Sequence, residues 1–358
     1  MVRAQSSGKI VLGQSAALSG PAAQLGIQYA QGAQLYFDHV NAQGGIAQRQ
    51  IELRSLDDGY EPDRCLENTH KLLAADVLSL FGYVGTPTSL VALPLAIQAK
   101  TPFVAPLTGA MSLRDPFSRY AFHVRASYQD ETARIVKQLT QLGLDRIAVF
   151  YQNDAYGKAG LDGVNLALSK LGRKPVATAT VERNSVDVAR SVEILRAATP
   201  HAIVQISAYK SCAAFIRGAR KAGYGGQFFN VSFVGTQALA DELGRDAAGV
   251  VVSQVVPSPY SASTPLAHGF VEAVKAAGGD AKANFSSMEG YLAAMVMVDG
   301  LKRAAAGKGL SRESVVSGLE SLGAQSYGGF SVTFSSTDHV GSSYVDLSML
   351  TGDGRVRT

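Results

Sequence analysis

Reactive groups are scarce in this sequence. Its two cysteines, Cys65 and Cys212, stand far apart, in what the order of elements makes different lobes, so no structural disulfide is expected. Two cysteines do not identify a redox compartment. The histidines at 39, 70, 123, 201, 268 and 339 are isolated, and none has a partner three or four residues away that would mark a metal site. There is no P-loop, no His-Glu-x-x-His helix and no Gly-x-Ser-x-Gly elbow. The glycines Gly157, Gly160 and Gly163 fall inside a predicted helix, at the wrong spacing for a dinucleotide fingerprint. A formal charge of +4 is spread thinly, with no basic run to track a phosphate backbone, so nucleic acid is not an expected partner. The longest apolar stretch, Tyr291 to Val298, is far below the ~20 residues of a membrane span. These absences argue against an enzyme, a cofactor, a metal and membrane insertion.

What is present is a regular alternation. At 358 residues the chain has room for two domains with full cores, and 37 glycines imply many tight turns. The central stretch, Leu78 to Ala110, reads as strand, Gly-Thr-Pro loop, helix, strand and a second small-residue loop, Pro106 to Ala110. Two successive βα turns place both loops outside the carboxyl ends of a parallel sheet, where open α/β folds bind ligands. Such loops offer backbone N–H groups and a helix N-terminus to an anion. Thr86, Thr88, Ser89 and Thr108 add hydroxyls there but nothing titratable, which suits holding a small molecule rather than reacting with it. The alternative is an ordinary turn with Thr88 or Ser89 as N-cap.

Strand and helix recur about every 25 residues, which calls for doubly wound parallel sheets. Lys9 to Gly13 (KIVLG) with its loop and helix is matched by Arg146 to Phe150 (RIAVF) with its own, so the second half reads as a copy of the first. After Pro257 the pattern changes to three helices, followed by two strands, Gly328 to Phe334 and Ser343 to Leu350. Asp57 and Asp58 at a strand end point to opposite faces and read as loop caps. Cys212, without a neighbouring histidine, reads as buried and inert.

In order and spacing, Leu18 to Gly26 (LSGPAAQLG), Asn41 to Ile46 (NAQGGI), Asp57–Asp58, Phe81 to Gly85 (FGYVG), Tyr151 to Gly157 (YQNDAYG), Ala219 to Gly223 (ARKAG) and Glu289 to Tyr291 (EGY) resemble periplasmic solute-binding proteins of the branched-chain amino acid ABC-importer type, over about Lys9 to Arg355. The resemblance implies two similar α/β lobes of the type I periplasmic-binding, Venus-flytrap architecture. Three crossings, near Arg125, Val256 and Ser335, would join residues 1-125 plus 257-335 to residues 126-256 plus 336-358, and the final strands would enter the second lobe. It implies a non-enzymatic monomer in the periplasm, and the residues Ala4-Gln5 themselves resemble the junction left after small-residue signal cleavage. The partners would be a small-molecule ligand and an inner-membrane ABC permease.

Carried over by position, the ligand's carboxylate would meet Thr86, Ser89 and the loop Leu107, Thr108 and Gly109. Tyr156 and Tyr209 would close on it from the second lobe, with Gln24 or Leu25 at the rim and Tyr83, Tyr128 and Gln254 as further neighbours. One departure stands out: where leucine-type relatives place a carboxylate for the ligand's ammonium group, this chain has Ser232. Asp58, Asp154 or Glu289 would have to substitute for it. An aromatic or branched oxo acid without an amine therefore fits the residues as well as an amino acid does. A ligand-sensing regulatory domain of the same fold and an amide-sensing relative are the other readings.

Overall fold

The computed structural model describes residues 8–279, 281–307 and 309–358. Ala4 and Gln5, read above as a processed junction, lie outside them. In the first half β1 (Ile10–Ala16), α1 (Ala23–Ala42), β2 (Ile51–Asp57), α2 (Pro62–Ala74), β3 (Ser79–Phe81), α3 (Thr86–Gln98), β4 (Phe103–Val104) and β5 (Ala121–Phe122) alternate. The second half continues with α4 (Tyr128–Gln141), β6 (Ile147–Gln152), α5 (Ala155–Ser169), β7 (Thr178–Val181), α6 (Ala189–Ala197), β8 (Ala202–Ile206), α7 (Tyr209–Lys221), β9 (Gln227–Asn230), α8 (Thr236–Leu243) and β10 (Val251–Gln254). Last come α9 (Pro265–Ala277), α10 (Phe285–Ala306), α11 (Arg312–Glu320), β11 (Gly323–Tyr327), β12 (Phe330–Phe334), β13 (Asp346–Leu350) and β14 (Val356–Arg357).

These strands form two principal sheets. The first is parallel throughout, in the order β2-β1-β3-β4-β5. In the second, β7-β6-β8-β9-β10 run parallel, and β13 and β14 extend the edge antiparallel. Numbered within its own half, each parallel set has the order 2-1-3-4-5. The repeat suggested by KIVLG and RIAVF is thus a repeat of topology, and in this order the connections leaving the adjacent first and third strands run to opposite sides, opening a crevice at the strands' carboxyl ends. Both first strands are buried because helices cover both faces of each sheet, which is why they read as near-continuous apolar runs.

The chain enters the second sheet after β5 and leaves it after β10. α10 then lies along α1, so closely that a Cβ on Gly32 would fall 1.8 Å from the Ser287 carbonyl oxygen and one on Gly290 2.0 Å from that of Tyr29. The end of the chain departs from the sequence reading. β12 does not join the second sheet; it pairs antiparallel with β11 through a turn at Gly328 and Gly329, both at positive φ, as a tight hairpin requires. Phe334 packs on Phe122, with ring centroids 5.3 Å apart. β11 (GAQSY) carries too little apolar pattern to be seen in the sequence, and only β13 and β14 reach the second sheet.

Candidate functional site

The first-lobe side of the crevice is built by the loops after β3 and β4. They run on in parallel beyond their strands: Leu107 N–H donates to the Tyr83 carbonyl (2.7 Å) and Gly85 N–H to that of Leu107 (3.1 Å). This register brings Thr86 Oγ1 to 2.7 Å from Thr108 Oγ1. α3 begins at Thr86, two residues earlier than the sequence suggests, with Gly85 as N-cap at φ 100 and no side chain capping it. Thr88 turns back to the carbonyls of Val84 and Gly85 instead of capping the helix. The Ser89 hydroxyl, fully buried, has no hydrogen-bond partner. Behind the second loop, the buried guanidinium of Arg114 donates to the carbonyls of Ala110 (3.0 Å) and Arg125 (3.1 Å), tying the loop to the first crossing.

α4 and α5 face this rim. Gly109 accepts from Tyr128 N–H at 2.8 Å, and a Cβ on Gly109 would sit 2.6 Å from that nitrogen, so this close approach requires glycine. Four rings pack in sequence across the crevice: Tyr60 on Phe233 (5.8 Å between centroids), Phe233 on Tyr156 (4.6 Å) and Tyr156 on Tyr128 (5.3 Å). The hydroxyls of Tyr128 and Tyr156 have no hydrogen-bond partner, and burial pushes both far from ionisation. Gln152 at the end of β6 donates to Asp154 (2.6 Å) and to the Tyr60 hydroxyl of the other lobe (3.3 Å), while its own oxygen is unpartnered.

Where the first crossing meets both lobes, Arg125 is buried between two carboxylates, Glu131 at 3.1 Å and Glu289 at 3.3 Å, and it also reaches the Ser232 hydroxyl. Glu131 is further satisfied by Ser232 N–H (2.7 Å) and the Ser253 hydroxyl (2.6 Å). Burial pushes the Glu289 carboxyl up to about 7, outweighing the pull of Arg125. A cavity of about 10 Å³ beside it brings together Leu25, Leu107, Ser232, Phe233, Gln254 and Glu289.

At the outer edge, Arg183 donates to Glu61 (2.8 Å) and Asn184 donates to Glu61 (2.7 Å) and to the Gly59 carbonyl (3.1 Å), joining the lobes. Because these groups are partly exposed, Glu61→Ala is expected to weaken solute binding by no more than about fivefold, through faster release. Titration calorimetry and stopped-flow release test this, and an unchanged dissociation rate would remove the contact from the closing machinery.

Of the residues singled out in the sequence, Thr86, Ser89, Leu107, Thr108, Gly109, Tyr128 and Tyr156 lie together on the crevice. Ser232 and Gln254 stand at the small cavity, with the Gln254 amide donating to Thr236 (2.9 Å) and Ser348 (2.6 Å). Tyr209 opens α7 with its hydroxyl toward the Gln24 backbone, across the lobes. Tyr83 is placed elsewhere: it packs on Phe103 at 4.9 Å and its hydroxyl meets Thr69 at 3.1 Å, in the outer core of the first lobe. Asp58 accepts from the Ser15 hydroxyl and Tyr60 N–H, and Asp154 caps α5, so both work as loop caps. Sequence reasoning passed over Tyr60, Gln152 and Phe233. Tyr60 and Gln152 could have been found, since each sits at or just past the carboxyl end of a first or second strand; Phe233 carries no such signal.

Comparison with known proteins agrees with this architecture. The family model described as "Periplasmic binding protein" matches residues 9–355. A possible leucine/isoleucine/valine-binding protein from Rhodopirellula baltica SH 1 is 34% identical, with a TM-score of 0.92 over 98% of this chain and 96% of that one. A substrate-binding periplasmic protein from Ralstonia solanacearum is 31% identical, with a TM-score of 0.90 over 97% of this chain and 99% of that one. A Leu/Ile/Val-binding protein homolog 7 from Brucella suis biovar 1 is 24% identical over 89% of this chain and 85% of its own length. With two lobes of matching topology closing on unpartnered hydroxyls, this chain belongs to the periplasmic binding protein family, in its branched-chain amino acid (Leu/Ile/Val) type, and is a ligand binder, not an enzyme.

Proposed function

We propose that this protein is the extracytoplasmic solute-binding component of an ABC importer, holding a small carboxylate-bearing solute between its lobes and presenting it, as a monomer, to a membrane permease. The lobes would be residues 1-125 plus 257-335 and 126-256 plus 336-358. One observation carries the reading: buried polar atoms on elements of both lobes that border the crevice, Ser89 Oγ, Tyr128 Oη, Tyr156 Oη and Gln152 Oε1, have no protein partner. Buried polar groups are otherwise almost always hydrogen-bonded. The uncapped start of α3 beside Thr108 suits a carboxylate, since its first N–H groups lack intrahelical acceptors. A solute that touches both lobes favours the closed form by its differential affinity. Among the described residues no helix is long and apolar enough to cross a membrane.

Ser89→Ala and Tyr156→Phe are each expected to weaken carboxylate binding about tenfold, the worth of one hydrogen bond to a charged group. Unfolding of the solute-free protein should be unchanged, because neither hydroxyl has a protein partner to lose. Calorimetry with branched-chain and aromatic amino and oxo acids reads the first effect and thermal unfolding the second. Wild-type affinity in both variants would overturn the assignment of the site. Loss of uptake on deleting the gene tests the importer role.

A further inference from the structure

The crevice has a composition that an amino acid does not need and lacks a group that an amino acid does. Its walls are four rings, Tyr60 from the first lobe and Tyr128, Tyr156 and Phe233 from the second, each no more than 1% exposed. Neighbouring planes are tilted by 44° to 58°, so they present both faces and edges, the arrangement in which a further ring packs well. The free polar atoms bordering the rings are three hydroxyls and one amide oxygen, all neutral, and at the base Arg125 has nitrogens without acceptors.

Among the described residues, each carboxylate near the crevice has a partner, Glu289 through an ion pair alone. Asp58 is held by Ser15 and Tyr60, Asp154 by Tyr156, Gln152 and Arg183, and Glu131 by Arg125, Ser232 and Ser253. Glu289 faces Arg125. The Ser232 hydroxyl is taken by Arg125. An ammonium group buried here would have to compete with Arg125 for Glu289, the acid at the small cavity. A carboxylate needs no such partner: Arg114 and Arg125 are buried beside the crevice, and Arg125 keeps guanidinium nitrogens without hydrogen-bond acceptors.

Resting on the solute-binding reading above, we propose that the bound solute is an aromatic carboxylate that bears no ammonium group. Its carboxylate lies against the start of α3 and the Thr108 loop, and its ring lies among Tyr60, Tyr128, Tyr156 and Phe233.

The test is titration calorimetry on the full chain, unfolded and refolded to strip carried-over solute, with phenylpyruvate, L-phenylalanine, 4-methyl-2-oxopentanoate, L-leucine and benzoate. Phenylpyruvate or benzoate should bind, with L-phenylalanine weaker than phenylpyruvate by at least about a hundredfold. 4-Methyl-2-oxopentanoate should be weaker than phenylpyruvate by about tenfold, and Phe233→Leu should narrow that gap by weakening phenylpyruvate more than the aliphatic oxo acid. L-Leucine or L-phenylalanine binding as tightly as its oxo acid overturns this proposal and leaves the carrier reading intact. If none of the five binds to refolded protein, and the solute released from the native protein has no carboxylate by mass spectrometry, both fall.

Discussion

Arg125→Met is expected to lower the stability of the protein by about 3–5 kcal/mol, the range seen when one member of a buried ion pair is removed. Arg125 is 2% exposed, and its loss leaves the Glu131 and Glu289 side chains, both buried, facing each other without a cation. The pH dependence identifies the cause. The Glu289 carboxyl is already up at about 7, above its ordinary value of 4.5. A raised acid contributes stability that is fully present below its unfolded value and lost as pH rises through the folded one. Removing the cation raises that group further, so the deficit of the variant should be larger near pH 8 than near pH 5. Urea unfolding at the two pH values measures it. A deficit below about 1 kcal/mol, or one equal at both, would show that the carboxylates find other compensation. Replacing all three charged residues by apolar ones should recover much of the loss, since uncharged packing often matches a buried triad.

Gly32→Val is expected to cost about 3 kcal/mol, and Gly290→Ala a comparable amount. Both glycines lie where α1 and α10 cross, and the atoms a Cβ would strike, 1.8 Å and 2.0 Å away, are backbone carbonyls of the facing helix, which cannot turn aside as a side chain can. The helices would have to separate. Glu289 precedes Gly290 on α10, so separation also withdraws the carboxylate from Arg125 and links the two predictions. Gly269→Ala on α9 is the control: its Cβ would find nothing closer than 3.9 Å, and the change should be neutral or stabilising by up to about 1 kcal/mol. Thermal unfolding of the three variants separates steric clash from helix propensity. Equal stabilities would mean that α10 slides along α1 at little cost.

Much of the frame was legible because it depends on local pattern. Apolar runs such as RIAVF, broken by Gly-rich loops and followed by helical spacing, reflect strands covered on both faces. The same pattern at KIVLG disclosed the repeat. Small polar loops after β3 and β4 pointed to the crevice, because strand direction alone fixes the edge on which such loops emerge. β11 and α8 were missed, the first for want of apolar alternation and the second because it is a short helix following Gly235 at φ 79.

What the sequence by itself determined is the order of elements, their duplication and the edge on which the small polar loops emerge, since each follows from the chain's own periodicity. The tertiary structure alone decided which side chains meet there. Tyr83 lies three residues from Thr86 yet points into the opposite core. Phe233 and Tyr60, far apart in the chain, share a wall, and Arg125 joins Glu131 to Glu289. Such meetings depend on how two separately folded sheets are brought together by their crossings, a geometry to which no stretch of periodic residues refers.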